Sequence, residues 1–184
     1  HRYLHSFPTR RSSDLLVFRT GIAVADKPEG PFVPLKDPMH GSYSIDYAVF
    51  KDEDGKYYFY FGGIWGGQLQ WYKDNKIAFN ESGVAAPPPG DTDPIVPAKK
   101  SETDALPSRV ALLADDMLGF AEAPKPVIIL GEDGKPLKAD DPHRFFEASW
   151  MHKYNGKYYF SYSTGDTHMI CYAIGDTPYG PFTY

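Results

Sequence analysis

The chain has 184 residues, with 19 Lys and Arg against 24 Asp and Glu, and therefore a formal net charge of −5. This acidic, aromatic-rich composition disfavours nucleic-acid binding, which needs clustered basic side chains, and suits a neutral ligand such as a small carbohydrate. Apolar runs stay well short of the ~18 residues of a membrane span, and the single Cys171 excludes an intramolecular disulfide.

The first 15 residues are predicted to be foreign to the rest of the chain. The run from His5 to Leu15 closely resembles the conceptual translation of a DNA sequencing adapter, and such scars are excluded from fold reasoning. A disordered basic tail or a transit peptide is the alternative. Residues 16–184 then hold 16 basic and 23 acidic side chains, a net charge of −7. On this interpretation the native chain is expected to extend upstream of Leu16, and its localisation (periplasmic, secreted or cytoplasmic) stays open.

Strand signals dominate from residue 16 onward, and helix signals are scarce. Aromatic runs at Tyr57–Phe61 and at 158–162 follow Asp-Gly and Asn-Gly dipeptides, the strongest short-range hairpin signals. Further strands are predicted at 18–25, 68–72, 110–114, 127–130 and 168–174. The polar, Pro-rich stretch 73–107 is predicted to be a long loop or insertion, of the kind that is usually functional or disordered.

Two segments of the chain repeat each other and carry a carboxylate at the same place. Residues 44–61 contain Asp46 and residues 145–162 contain Glu147, each nine positions before the glycine of a Gly-Lys pair. Two acids at the same position of a repeated unit lie at equivalent points around the axis that relates the copies. Repeat proteins assemble a site from several units in this way. The structural alternatives are a turn-capping role for Asp46 and a charge on a solvated strand edge for Glu147.

A second, shorter repeat, here called the echo, flanks the acid-bearing repeat. Residues 26–32 and 176–182 share five of seven positions, including Pro-Xaa-Gly-Pro-Phe. The echo is predicted to mark the outer end of a unit, where the chain crosses to the next one. A common Pro-Gly turn is the alternative.

Hairpins in series, with a repeated unit and no helix pattern, favour an all-β propeller over a sandwich. The two acids stand 101 positions apart, more than a blade of about 40–50 residues, and the insertion 73–107 accounts for the excess. We assign the end of one blade to residues 16–32, a long blade to 41–141 and a third to 142–184. Because a propeller closes with about 4–8 blades, residues 16–184 are expected to form part of a larger domain.

These segments resemble glycoside hydrolase family 43, and the resemblance extends over residues 16–184. It implies an all-β, five-bladed β-propeller that hydrolyses xylosides and arabinosides with inversion, acting on xylo- or arabino-oligosaccharides. By motif, Glu147 matches the family's general acid, and Asp46 matches the aspartate that orients and tunes that acid. The run Gly-Gly-Ile-Trp-Gly-Gly-Gln-Leu-Gln at 62–70 looks most like the β-xylosidase and α-L-arabinofuranosidase branch.

Five further residues are candidate substrate-binding groups. Ile45 and Phe146 precede the two acids directly. Trp65, between two Gly pairs, either stacks on a sugar face or packs between blades. His168, at the end of a Gly-Asp-Thr-His stretch, and Thr164 either line the pocket or belong to a surface turn.

Inverting hydrolysis explains why carboxyl groups are needed here. An acid protonates the leaving oxygen and a base activates a water across the sugar ring, with the two carboxyls about 6.5–9.5 Å apart. Apolar surroundings or a nearby negative charge keep the acid protonated near neutral pH. Phe145, Phe146 and Trp150 flank Glu147, and Asp46 is expected to supply the charge. In an ideal strand Phe145 can share a face with Glu147, whereas Phe146 cannot.

Two departures from the family pattern affect the expectation. Tyr47 occupies the place where many members have Pro after the tuning Asp. The general base opens the first blade in the family, so it would precede Leu16 and is expected to be absent from this chain. Residues 16–184 are therefore expected to be inactive alone, and their uncovered sheet faces and edges are an aggregation hazard.

No metal site or cofactor is predicted. The histidines lack zinc-ligand spacing, and the stretch 52–55 lacks the later ligands of a calcium loop. Two other functions stay open: a carbohydrate-binding propeller with vestigial acids, and a five-bladed hydrolase that acts on fructans by a retaining route. An Asp at the matching position of the first blade would favour an enzyme, and its absence would favour a binding module.

Overall fold

The computed structural model describes residues 18–73, 76–77, 100–165 and 168–184, with the backbone alone at 65, 71, 73, 76, 77 and 100, together with the backbone of residues 2–8. The strands in these residues are β1 (Arg2–Pro8), β2 (Phe18–Val24), β3 (Val33–Pro34), β4 (Ala48–Lys51), β5 (Tyr57–Phe61), β6 (Tyr72–Lys73), β7 (Lys76–Ile77), β8 (Ser108–Leu112), β9 (Lys125–Val127), β10 (Ile129–Leu130), β11 (Phe145–Tyr154), β12 (Lys157–Thr164), β13 (Ile170–Gly175) and β14 (Phe182–Thr183). Short 3-10 turns occur at Trp65–Gly67, Leu69–Trp71 and Lys100–Glu102. Within the described part of the chain, no helix is long and apolar enough to cross a membrane.

The strands form three main sheets and one small hairpin, so the predicted all-β class is confirmed. The first sheet has the order β1-β2-β3, the second β4-β5-β8-β9, and the third β10-β14-β13-β12-β11. β6 and β7 pair as a separate hairpin. Neighbouring strands are antiparallel, except that β10 runs parallel to β14. Serial antiparallel sheets of three to five strands are the blade pattern of a propeller.

The backbone of β1 lies along the whole of β2, with Arg2 opposite Val24 and Pro8 opposite Phe18. β1 falls within residues 1–15, whose sequence resembles a translated adapter, and it occupies the edge of β2 that β3 leaves open. The foreign origin of this segment stays a prediction from the sequence.

Both predicted hairpins of the acid-bearing repeat are present, with different turns. β11 and β12 are joined by a two-residue turn in which Asn155 and Gly156 both have positive φ (48° and 75°), as a type I′ turn requires. β4 and β5 are joined by residues 52–56, a longer loop in which Gly55 alone has positive φ, at 83°. In both hairpins a Gly-Lys pair whose glycine has positive φ leads into the aromatic strand, β5 or β12, although the two turns differ in length.

The two copies of the echo also share a local structure. Residues 26–32 connect β2 to β3, and residues 176–182 lead from β13 into β14. Each contains a cis Gly-Pro bond after a glycine of positive φ, 86° at Gly30 and 81° at Gly180. The two copies thus occupy equivalent places, between the last two strands of their sheets.

An aromatic core joins the second sheet to the third. The largest fully buried aromatic side chains include Tyr43, Phe59, Tyr60, Phe61, Phe145, Phe160, Tyr162 and Phe182. The Tyr60 and Phe160 rings lie 6.0 Å apart, and the Tyr60 hydroxyl donates to the Pro178 carbonyl at 2.5 Å. The buried hydroxyls of Ser108 and Ser149 are hydrogen-bonded at 2.7 Å across the same interface. The hydroxyl groups of Tyr60, Ser108 and Ser149 therefore have hydrogen-bond partners in this buried region.

A charged cluster joins the two sheets near the β4–β5 and β11–β12 turns. Lys153 Nζ lies 3.0 Å from Asp52 Oδ1 and 2.8 Å from Glu53 Oε2, and the Tyr158 hydroxyl donates to Asp52 Oδ2 at 2.6 Å. Burial acts to raise the pKa of Asp52, but hydrogen bonds from Tyr158, the Glu53 backbone and Lys153 outweigh it and lower that pKa.

Two expectations about strands are corrected. The predicted strand at 68–72 is wrong, because Gln68 is left-handed (φ 66°) and Leu69–Trp71 is a 3-10 turn. The predicted strand at 127–130 is two strands in two sheets, since β9 belongs to the second and β10 to the third. The assignment of one blade to residues 41–141 and of the next to 142–184 stays a prediction. Of the predicted loop 73–107, residues 74–75 and 78–99 lie outside the described residues.

Candidate active site

Asp46 lies in a tight turn that leads into β4. Ser44 and Asp46 both adopt left-handed backbone conformations, with φ 66° and 57°. The Tyr47 hydroxyl closes this turn by donating to the Ser44 carbonyl at 2.5 Å, while its ring packs on Phe59 at 5.2 Å. Burial raises the pKa of Tyr47 to about 12, so its hydroxyl stays a protonated donor. The carboxylate of Asp46 is left exposed at the end of the second sheet.

Glu147 lies in a distorted part of β11. Register shifts occur on both sides of it, between Phe145 and Glu147 and between Glu147 and Trp150. Such bulges redirect a side chain and are frequent next to active sites. Glu147 is opposite Ser163, whereas Phe145 is opposite Thr164, the next residue of β12. The ideal alternation that would let Phe145 share a face with Glu147 therefore does not apply to this part of β11.

A hydrogen bond connects the Asp46 side chain to the backbone beside Glu147. Asp46 Oδ2 accepts the backbone N–H of Ala148, the residue after Glu147, at 3.0 Å. Ala148 has φ 60°, an uncommon conformation for a residue with a Cβ. The carboxylate of Asp46 thus holds the bulge that sets the direction of the Glu147 side chain, which is 30 % exposed.

The glycine-rich segment after β5 lies between the two acids. Gly62 N–H donates to the Ile45 carbonyl at 2.9 Å, and Ile64 N–H donates to the Phe146 carbonyl at 3.0 Å. Ile45 and Phe146 precede the acids at equivalent positions of the repeat. A Cβ on Gly63 would lie 2.6 Å from Ile45 Cγ1 and 3.4 Å from Glu147 Cβ, so this close approach needs glycine.

His168 is the one predicted substrate-binding side chain that reaches the carboxylate of Glu147 in the described residues. Its Nδ1 lies 3.5 Å from Glu147 Oε1, and its ring meets that of Phe146 edge-on at 4.6 Å. His168 is exposed and has φ 52°. The preceding Asp166 and Thr167 lie outside the described residues.

The other candidate substrate-binding residues are placed unequally. The carbonyl groups of Ile45 and Phe146 accept hydrogen bonds from the glycine-rich segment after β5, as described above. The backbone of Trp65 lies in the 3-10 turn Trp65–Gly67, and the prediction for its side chain falls outside the described residues. Thr164 is 2 % exposed and pairs with Phe145, and its role in substrate binding stays a prediction. In the described part of the chain, no three His, Cys, Asp or Glu side chains are grouped to hold a metal ion.

Sequence reasoning did not identify Ser44, Gly63 and Gly67 as parts of the site. Their contacts join segments about 20 positions apart, so the pattern of either segment alone does not show them. The available signal was the Ser two positions before Asp46, together with the Gly pairs on either side of Trp65.

Serial antiparallel sheets, with Asp46 just before β4 and Glu147 near the start of β11, define the class of the protein as a β-propeller. No family model matches the chain. It is 68 % identical over 168 residues to a β-xylosidase of Xylanibacter ruminicola, covering 91 % of this chain and 48 % of that protein. It is 60 % identical over 184 residues to a xylosidase/arabinosidase of Bacteroides ovatus, covering 100 % of this chain and 51 % of that protein.

Solved structures agree with these relatives. A family 43 β-xylosidase/α-arabinofuranosidase from a compost metagenome, crystallised with xylotriose, superposes with TM-score 0.83 at 52 % identity, covering 100 % of this chain and 52 % of that one. A Xanthomonas citri family 43 enzyme complexed with xylose gives 0.81 at 50 % identity, covering 100 % and 51 %. The chain spans about half the length of the relatives it matches. It belongs to glycoside hydrolase family 43.

Proposed function

We propose that the protein containing this chain is an inverting, exo-acting glycoside hydrolase that removes xylose or arabinose from xylo- or arabino-oligosaccharides. Glu147 is its general acid, and Asp46 orients that acid. The observation that carries this proposal is the bond from Ala148 N–H to Asp46 Oδ2, at 3.0 Å. It fixes the backbone next to Glu147 by means of the carboxylate at the equivalent position of the repeat.

The surroundings of Glu147 support a role as proton donor. Its side chain is half-buried beside the Phe146 ring and the His168 imidazole. It is therefore partly shielded from water yet accessible to a sugar oxygen. Ile45, Phe146, Trp65 and His168 are proposed to contact the substrate, and the base that activates water is not assigned to a residue of this chain.

The relatives supply the substrate class. The similar proteins are named as β-xylosidase and xylosidase/arabinosidase, and the Xanthomonas citri enzyme was crystallised with xylose and with xylotriose. We extend this class, a pentose at the non-reducing end of a short oligosaccharide, to the present protein.

The test is Glu147→Gln in the complete open reading frame that encodes this chain. Turnover of xylobiose, which has a poor leaving group, should fall roughly 10²–10⁴-fold, because the departing oxygen then lacks a proton donor. Turnover of an aryl xyloside with an activated leaving group should fall much less. Glu132→Gln, at an exposed turn after β10, is the matched control and should leave both rates unchanged.

Each alternative outcome has a distinct meaning. Equal losses on both substrates would remove Glu147 from the role of general acid. Binding of xylotriose without any turnover by the wild type would favour the carbohydrate-binding module. The anomer first released, followed by NMR, separates inversion from the retaining route.

A further inference from the structure

The hydroxyl of Ser44 joins both ends of the segment that carries Trp65. Ser44 is 0 % exposed, and its Oγ accepts the N–H of Gly63 at 2.9 Å. The same Oγ lies 2.7 Å from the Gly67 carbonyl and 3.2 Å from the Gly63 carbonyl. A serine hydroxyl has a single proton, and the shorter contact directs it to Gly67. The side chain therefore closes residues 63–67, here called the Trp65 loop, into a ring.

The Trp65 loop is also packed tightly against the residue that follows Ser44. A Cβ added to Gly63 or to Gly67 would approach Ile45 Cγ1 to 2.6 Å or 2.7 Å, distances that real Cβ atoms do not reach. The two glycines thus let the loop backbone lie directly on Ile45. The loop contacts the third sheet through Ile64 N–H and the Phe146 carbonyl.

We propose that Ser44 is a positioning residue for the active site. Its hydroxyl fixes the Trp65 loop relative to the turn that carries Asp46, and so sets where the loop stands relative to the two acids. The proposal rests on the proposed function for its consequence in catalysis, but its structural claim can be measured without any activity. Ser44 is fully buried, so its hydroxyl acts through the loop.

The physical reason is that the Ser44 hydroxyl bonds both ends of the loop, in addition to the backbone bonds from Gly67 N–H to the Ile64 carbonyl at 3.2 Å and from Leu69 N–H to the Gly63 carbonyl at 2.9 Å. Without the hydroxyl, the Gly63 N–H and the Gly67 carbonyl lose their common partner in a buried place, which is unfavourable unless the loop moves to reach water. Movement of the loop separates it from Asp46, since Ser44 and Asp46 belong to one turn closed by Tyr47.

Ser44→Ala in the complete open reading frame tests this, with Ser42→Ala as matched control. Ser42 is 1 % exposed, and its Oγ also accepts one N–H, from Thr20 at 2.9 Å, and donates to one carbonyl, of Met39 at 2.7 Å. Both variants lose an equivalent buried hydroxyl. Only the Ser44 variant loses contacts to the Trp65 loop.

Hydrogen exchange of the peptide covering residues 62–71 gives the structural readout. Ser44→Ala should exchange its loop amides at least roughly tenfold faster than the wild type, while Ser42→Ala keeps the wild-type rate. In kinetics, Ser44→Ala should raise KM for xylobiose by roughly tenfold with a smaller change in kcat, because the loss lies in substrate positioning. Wild-type exchange and wild-type KM in Ser44→Ala would overturn the proposal.

A second variant covers the case in which Ser44→Ala does not fold. Gly67→Ala keeps the hydroxyl but places a methyl group against Ile45, so it should displace the loop and raise both the exchange rate and KM. An unchanged exchange rate and an unchanged KM in Gly67→Ala would contradict the proposed positioning role of the Trp65 loop. If the wild type exchanges as expected but turns over no glycoside, the proposed function fails while the role of Ser44 in the loop stands.

Discussion

Asp46 and Ala148 are 102 positions apart, yet the carboxylate of the first accepts the backbone N–H of the second at 3.0 Å. Ala148 follows Glu147 directly and has a left-handed backbone. The contact therefore lets one acid of the repeat control the backbone beside the other. A neutral acceptor of the same shape would preserve this geometry but would lack the negative charge.

Two substitutions at Asp46 separate the charge from the hydrogen bond. Asp46→Asn retains an oxygen acceptor, and Asp46→Ala removes it. We expect both to lower kcat on xylobiose by at least roughly tenfold in the complete protein, with Asp46→Ala the more damaging, because it also releases Ala148 N–H. Steady-state kinetics measures kcat of both variants, and thermal unfolding measures their stability. Wild-type kcat in Asp46→Ala would exclude Asp46 from the active site.

Tyr47→Phe should destabilise the turn that carries Asp46. The variant removes the hydroxyl that donates to the Ser44 carbonyl and leaves the ring contact with Phe59 in place. The free energy of unfolding, measured in urea, should fall by about 1 kcal/mol. Tyr154→Phe, at an exposed tyrosine of β11, is the control and should change it by less than about 0.5 kcal/mol. Equal effects in the two variants would show that the Tyr47 hydroxyl contributes nothing specific.

The Asp52 cluster predicts a pH-dependent contribution to stability. The folded state holds the pKa of Asp52 below its ordinary value. Asp52 therefore stabilises the fold fully at pH values above its ordinary pKa, and this stabilisation is lost as the pH falls through the lowered pKa. Asp52→Asn should therefore lower the free energy of unfolding by about 1–3 kcal/mol at pH 7. The gap between wild type and variant should narrow steadily below about pH 4.

Asp54→Asn is the control for this experiment. Asp54 lies in the same loop but pairs with Lys56 at 3.5 Å on the surface, where both side chains are about half exposed. Such pairs contribute little, roughly 0–1 kcal/mol. A gap between wild type and Asp52→Asn that stays constant from pH 7 to pH 3 would show that Asp52 is not the titrating group.

The sequence revealed those features that are encoded locally. Asp-Gly and Asn-Gly marked both hairpins, and the Pro-Xaa-Gly-Pro echo marked two equivalent turns, because turn chemistry is written in adjacent residues. The equal spacing of Asp46 and Glu147 from their turns revealed that the acids share a position in the repeat.

What the sequence did not reveal depends on partners distant along the chain. Residues 68–72 look like a strand, but Leu69 N–H bonds to the Gly63 carbonyl and holds the segment in a 3-10 turn. The face of Glu147 is set by two bulges, whereas the prediction assumed an ideal strand. An apolar run at 127–130 does not show that its two halves pair with different sheets.

The change of sheet at Ile128 has a consequence for how the molecule comes apart. The Ile128 carbonyl accepts Phe182 N–H and the Leu130 carbonyl accepts Tyr184 N–H, both at 2.9 Å, so the residues leaving the second sheet form the outer border of the third. The border strand β10 meets its partner β14 only about 50 residues further along the chain. Unfolding of one sheet removes a strand from the other, and the two should melt as one cooperative unit with high contact order.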